Sequence, residues 1–305
     1  MNFLLTADES AGLHALRLIK SSGHKIVGLV VPNANKAIRR LAKEWNLKVY
    51  KPSNLRSPQF AKWIQFKKVD VLLNIHLLEI IHPENISALK IGGFNLHPGP
   101  LPEYAGLHTP SWAIYNGEAN HGVTLHWLDP GIDTGPIAYK SIVPIKSKDT
   151  GLSLSRRCML EGMVLVSDLL NDLTNSADRI PRVSQDLSTR NYYGKGQVPQ
   201  YGTIKWNKSA LQIERFVRAS NYAPFTSPWG YPAAEINGVK FEIVAVNNTY
   251  EEAETAPGSV RENLDGEILV ASKDYWVKIE RCRIDEKLVS PKKVIQKKLN
   301  SKKLL

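Results

Sequence analysis

The rhythm of the first 145 residues constrains this chain most, because short apolar runs alternate there with amphipathic stretches. Phe3-Leu-Leu-Thr-Ala is followed by the amphipathic Leu13 to Lys20 and then by Ile26-Val-Gly-Leu-Val-Val, which reads as strand, helix, strand. The pattern repeats through Ala37 to Glu44, Lys48-Val-Tyr, Phe60 to Phe66 and Val69-Asp-Val-Leu-Leu-Asn-Ile. Near-continuous apolar runs of this kind suit strands buried on both faces, so the pattern predicts an α/β fold with a mostly parallel sheet and helices on both sides.

The later part has a different texture. A helix is expected from about Leu152 to Leu173, with Leu154, Cys158, Met159, Met163, Val166 and Leu170 on its core stripe. Residues 181–202 hold Pro181, Gly194, Gly196 and Pro199 without periodicity, which predicts a linker. Beyond it come one helical piece, Ser209 to Ala219, and alternating runs at Ala233-Ala-Glu-Ile, Lys240 to Val246, Gly266 to Ala271 and Trp276 to Glu280. Those runs predict a small β-barrel. The expected organisation is an α/β catalytic domain over 1–180, the linker over 181–202, a barrel-like domain over 203–286 and a lysine-rich tail or linker over 287–305. A length of 305 residues suits two domains.

The formal charge of +11 suggests a nucleic-acid partner until it is localised. Seven lysines and no acid lie in 287–305, which leaves 33 basic against 29 acidic residues over 1–286. The folded part is only mildly basic, and the tail reads as a solvated end or a link to a downstream domain, with RNA or membrane contact as the rarer use. Cys158 and Cys282 are 124 residues apart and give no metal-ligand spacing, so no metal site is expected. The start, Met1-Asn-Phe-Leu-Leu-Thr-Ala-Asp-Glu, has no basic leader, and no stretch matches a membrane span, so a cytoplasmic protein is expected.

In a parallel sheet, ligands bind at the carboxyl ends of strands. The turn after the first strand, Thr6 to Gly12, has neither a dinucleotide nor a nucleoside-triphosphate glycine pattern. Residues 92–106 instead pack four glycines and three prolines around Asn95 and His97, and 128–137 form a second Gly- and Pro-rich cluster around Asp133. Asn95 and His97 alternate on an extended segment and so share a face, which Asp133 can reach from a neighbouring loop. Amide, imidazole and carboxylate together suit acyl transfer to an amine: a donor for developing negative charge, a proton shuttle and a group that orients it. The same residues also fit turn stabilisation and capping, and His108, His121 and His126 have no partner that spacing reveals.

These motifs resemble those of the 10-formyltetrahydrofolate-dependent formyltransferases. Asn95-Leu-His97-Pro-Gly-Pro-Leu-Pro is similar to the family's Asn-x-His and proline loop, and Asp129-Pro-Gly-Ile-Asp133-Thr-Gly to its Asp-x-Gly-x-Asp-[ST]-Gly segment. Ile204-Lys-Trp206 and Ala223 to Gly230 resemble the start of its barrel-type, OB-like domain beside the Rossmann-like one. The resemblance implies catalytic Asn95, His97 and Asp133, and no metal. The 10-formyltetrahydrofolate donor would lie against Leu73, Asn74, Ile75, His76, Leu77 and Leu78 and against Leu128, Asp129, Gly131 and Ile132, held mainly by backbone groups. Pro98, Gly99, Pro100, Leu101, Tyr104 and Gly106 would face the amine substrate.

For the acceptor, the resemblance divides. Methionyl-tRNA formyltransferases carry a basic insertion after the second strand, whereas this chain runs from Val31-Pro-Asn-Ala-Asn straight into Lys36-Ala-Ile-Arg-Arg, so tRNA is the lesser expectation. The second domain argues against a glycinamide ribonucleotide formyltransferase. Amino-sugar enzymes keep both domains, and formylation domains of peptide synthetases resemble Tyr104 to Trp112, so a small-molecule amine is expected, with fusion to or association with a downstream biosynthetic domain as the accompanying possibility. A folate hydrolase using the same triple, and an RNA-binding module working through the tail, are the rival classes.

Overall fold

The computed structural model describes residues 1–236 and 238–294. The chain runs β1 (Asn2–Ala7), α1 (Glu9–Ser21), β2 (Lys25–Val30), α2 (Lys36–Glu44), β3 (Val49–Tyr50), α3 (Phe60–Phe66), β4 (Val71–Ile75), α4 (Pro83–Ser87) and β5 (Gly92–His97). It continues through β6 (Ala105–Gly106), α5 (Thr109–Asn116), β7 (Asn120–Trp127), β8 (Ile137–Pro144), α6 (Gly151–Asn175) and β9 (Tyr192–Tyr193). The last elements are α7 (Ala210–Ala219), β10 (Ala233–Ile236), β11 (Val239–Glu252), β12 (Val260–Glu262), β13 (Ile268–Ala271), β14 (Tyr275–Ile284) and β15 (Lys287–Val289).

Seven strands form one sheet in the order β3-β2-β1-β4-β5-β7-β8. The pairings among β1 to β5 are parallel and β5 meets β7 antiparallel, so the mostly parallel α/β fold expected from the sequence is the observed one. Strand alternation builds a core on each face. Phe3, Leu5, Val71, Leu73 and Ile75 pack with Ala15, Leu16 and Ile19 of α1 and Val166, Leu169 and Leu170 of α6. Leu4, Val30 and Leu72 point the other way, onto Phe60 and Ile64 of α3. At about 1.5–3 kcal/mol per fully buried large apolar side chain, these two layers dominate the stability of the unit.

The strand order reverses about β1, with β2 and β3 on one side and β4 and β5 on the other. That reversal opens a crevice at the carboxyl ends of β1, β4 and β5.

The chain divides into two compact units, one of residues 1–109, 121–144 and 156–193 and the other of 110–120, 145–155 and 194 onward. In the second unit a curled antiparallel sheet has the order β10-β11-β14-β13-β12, with β15 on β14. Register shifts in β11 at Ile243/Ala245, Ala245/Val246 and Asn248/Glu252 supply the bulges that bend it. Ser209 caps α7 in a reciprocal capping box with Gln212.

Two segments are more ordered than their composition suggests. Residues 287–289, read from charge as part of a tail, form β15, because Asp285 and Glu286 both take the left-handed conformation of a two-residue hairpin turn. The remainder of that expected tail is described through Val294, and residues 295–305 lie outside the described residues. In the stretch read as a linker, Val183 bridges Ile137 and β9 pairs with β6. No helix among the described residues is long and apolar enough to cross a membrane.

Candidate active site

Register alone places four polar side chains in a row across the sheet. Thr6 of β1 lies opposite Asn74 of β4, Asn74 opposite Asn95 of β5, and Asn95 opposite His126 of β7. They are hydrogen-bonded in that order: the Thr6 hydroxyl donates to Asn74 Oδ1 at 2.5 Å, Asn74 Nδ2 to Asn95 Oδ1 at 2.7 Å, and Asn95 Nδ2 to His126 Nε2 at 3.0 Å. Each bond made is worth about 0.5–1.5 kcal/mol and each left unmade costs about 1–3 kcal/mol, so the row fixes the amide orientation. With its oxygen held by Asn74, Asn95 turns its NH2 outward, toward Asp133 Oδ1 at 3.4 Å.

His97 is 3% exposed. Its Nε2–H donates to the Tyr104 carbonyl at 2.6 Å, which leaves the Nδ1 lone pair facing Asp133 Oδ2 at 3.6 Å. Burial pushes His97 below the usual histidine range, opposed by the Asp133 charge and the Tyr104 carbonyl. The resting imidazole is neutral.

Asp133 receives the Gly106 N–H at 2.8 Å and lies 3.5 Å from His126 Nε2. Burial alone would raise its carboxyl, but the positive charge that the His97 and His126 rings gain on protonation, with the Gly106 N–H, outweighs that and holds it well below the usual carboxylate range. The site therefore joins an ionised carboxylate, a neutral imidazole and an oriented amide.

The proline loop supplies the positioning. Pro98 O accepts from Thr109 Oγ1 at 2.6 Å and from His121 Nε2–H at 2.9 Å, and Thr124 Oγ1 joins Gly99 O to Leu101 N. Of the residues expected to face substrate, the Tyr104 carbonyl holds His97 and the Gly106 N–H holds Asp133, while the Pro98 carbonyl holds Thr109 and His121. A Cβ on Gly99 would lie 2.5 Å from Tyr104 O and 2.7 Å from His97 Nε2. Gly99→Ala is therefore expected to part this pair and lower turnover by on the order of 10² with the fold retained. Steady-state kinetics beside circular dichroism check this, and unchanged turnover would mean that the Tyr104 contact does not position His97.

Of the residues expected around the donor, Leu73, Asn74, Ile75 and Leu77 are buried, while Leu78 is 76% and Ile132 48% exposed. Asp129 holds its turn by accepting from Gly131 N at 3.1 Å and Thr134 Oγ1 at 2.7 Å.

The stretch read as a linker clamps the loop that carries Asp133. Gln185 donates to Asp133 O at 3.1 Å and Gly135 O at 2.6 Å, and Arg190 to Ile132 O at 3.0 Å. Trp127 Nε1–H donates to Pro181 O at 2.8 Å, beneath the Arg182 guanidinium, 3.5 Å from a ring centroid. Asp133 itself has φ of 55°, a left-handed value retained where surroundings enforce it. Composition cannot reveal such a strap, because its bonds run to backbone carbonyls distant in sequence.

A family model described as formyl transferase matches residues 5–169, and one described as formyl transferase, C-terminal domain, matches 198–299. The chain belongs to the formyl transferase family. Among solved structures, an N-formyltransferase from Helicobacter canadensis, in complex with folinic acid and dTDP-3-aminofucose, has a TM-score of 0.67 and 19% identity over 91% of this chain and 98% of its own. WlaRD, a sugar 3N-formyl transferase studied with dTDP and 5-N-formyl-THF, gives 0.70 and 17% over 94% of this chain and 98% of its own. HypX from Aquifex aeolicus gives 0.65 and 19% over 98% of this chain, which spans 49% of HypX. At such identities the likeness establishes a shared fold. The formyl transferase match contains the polar row and Asp133, while the 181–193 strap lies between the two matched segments.

Proposed function

We propose that this formyltransferase uses 10-formyltetrahydrofolate to formylate the amine of a small molecule, a nucleotide-linked amino sugar by preference, with Asn95, His97 and Asp133 as its catalytic residues. The observation that carries the acceptor class is the span of the likeness: an N-formyltransferase in complex with dTDP-3-aminofucose and a sugar 3N-formyl transferase match across both units and over 98% of their own lengths. Folinic acid and 5-N-formyl-THF in those structures support a folate donor. The exposed apolar side chains of Leu78 and Ile132, at the carboxyl edge of the sheet, suit a flat ring beside residues 73–78 and 128–132.

The donor would supply an activated formyl carbon. As the amine nitrogen bonds to that carbon, negative charge grows on the formyl oxygen, and the Asn95 NH2, fixed beforehand by the Thr6–Asn74 row, is placed to donate to it. Asp133, ionised, takes a proton from the attacking nitrogen and exchanges it with His97 Nδ1. His97 becomes a donor only after accepting that proton, since its other N–H is tied to Tyr104. The same proton then goes to the departing folate nitrogen, and a formamide is released.

The test is a panel of nucleotide-linked amino sugars, amino acids and charged initiator tRNA, incubated with 10-formyltetrahydrofolate and the purified protein. Mass spectrometry should find a formylated amino sugar formed in step with tetrahydrofolate. Preferential formylation of the tRNA would overturn the acceptor assignment. Formate release without any amine would make the protein a hydrolase.

A further inference from the structure

Glu9, His76 and His108 are among the residues other than glycine that adopt left-handed φ, with values of 54°, 57° and 57°. Such values are sparsely populated by L residues and tend to persist where function requires them. All three follow strand ends around the catalytic row: Glu9 lies two residues past β1, His76 one past β4 and His108 two past β6. Ala7 is level with Ile75 and Ile75 with Leu96, so His76 emerges beside His97.

His76 Nδ1–H donates to Glu9 Oε2 at 3.0 Å, and the His76 Nε2 lone pair has no hydrogen-bond partner among the described residues. The Glu9 side chain is 69% exposed. A carboxylate behind one ring nitrogen fixes the tautomer and leaves the other as a base, the logic that serves hydrolytic triads. The charged and titratable neighbours are few. Asp8 is turned to Asn35 Nδ2 at 2.9 Å and to Glu9 N, His108 faces Glu9, and His97 lies on the side of β5.

Proton bookkeeping gives this pair a task. A primary amine arrives as ammonium and ends as a formamide N–H, so its nitrogen sheds two protons. One goes to the departing folate nitrogen, which bonds hydrogen in place of the formyl carbon. The other must leave the site, and Asp133, enclosed by Gly106, Asn95, His97 and His126, serves only the first.

We propose that His76, oriented by Glu9, is the base that takes the surplus proton from the acceptor's ammonium group on Nε2, delivering a neutral amine to the formyl carbon and passing the proton to solvent. The inference rests on the formyl transfer to an amine proposed above. The role belongs to the His76 side chain, and the backbone of residues 73–78 stays free to hold the donor.

The experiment compares wild type, His76→Gln and Glu9→Gln on dTDP-3-aminofucose, or on the panel amine that wild type formylates fastest. Without the base, only the fraction of amine already neutral in solution reacts, so kcat/KM in His76→Gln should climb about tenfold per pH unit below the amine's own pKa. The deficit should be largest near pH 6 and vanish around pH 9, with Glu9→Gln deviating in the same sense but less. Affinity for 5-formyltetrahydrofolate should be unchanged in both. A deficit equal at every pH, a loss confined to folate affinity, or kinetics equal to wild type in His76→Gln overturns the proposal. A wild-type protein that formylates no amine overturns the parent reading, and this one with it.

Discussion

Asp133→Asn is expected to lower turnover by on the order of 10³ while the protein stays folded and still binds a folate analogue. The fold should survive because an amide of the same size can still accept the Gly106 N–H, and the Gln185 clamp grips the Asp133 backbone carbonyl rather than its side chain. The chemistry should not survive, since Asp133 is the ionised group proposed to take the amine's proton. The pH profile carries a second signature. Activity on the acid side falls as His97 becomes protonated, and the Asp133 charge raises the pH at which that happens against the opposing effect of burial. Removing the charge leaves burial unopposed on that side, so the residual activity of Asp133→Asn should hold to lower pH than wild type does. Full pH–rate profiles at saturating donor and amine decide it: turnover near wild type removes Asp133 from the mechanism, and an acid limb shifted to higher pH reverses the assigned coupling to His97.

Much of the site was legible in the sequence for a definite reason. Asn95 and His97 sit two apart on β5, so alternation alone puts them on one face, and the Gly- and Pro-rich turn at 128–137 announces a loop able to carry Asp133. The rest depends on register, which a single strand does not carry. Within β7 His126 meets the Trp127 carbonyl, through Nδ1 at 2.8 Å. It meets Asn95 only because β5 and β7 pair with Asn95 opposite His126. Thr6 and Asn74 likewise read as polar interruptions of buried strands until β1, β4 and β5 are aligned.

The strap over 181–193 was hidden for the opposite reason. Its Pro181 and aperiodic polar residues are what a linker shows, yet Gln185 and Arg190 bond to carbonyls of the Asp133 loop some 50 residues earlier. Local sequence gives no sign of the turn at Asp285-Glu286, which lacks the Asn-Gly or Asp-Gly of a two-residue hairpin and forms one nonetheless. Tertiary pairing can impose left-handed values that local sequence disfavours.

Asn95→Ala and His97→Ala form the second large expected effect, and their combination is more informative than either alone. Asn95→Ala removes the pre-oriented donor and should cost on the order of 10²–10³ in turnover. It also removes one acceptor from Asn74 Nδ2, which keeps the Leu77 carbonyl, and the donor from His126 Nε2, so a modest loss of thermal stability should accompany the kinetic one. His97→Ala should cost at least as much in turnover, because the proton held by Asp133 loses its exchange partner and the Tyr104 carbonyl loses its donor. The residues act on one developing charge and one travelling proton, so the double variant should be little slower than the slower single variant. Affinity for 5-formyltetrahydrofolate should stay near wild type in all three proteins, which separates lost chemistry from lost binding. Strictly multiplicative losses in the double variant would show two independent contributions and undo the picture of a single hydrogen-bonded unit running from Thr6 to Asp133.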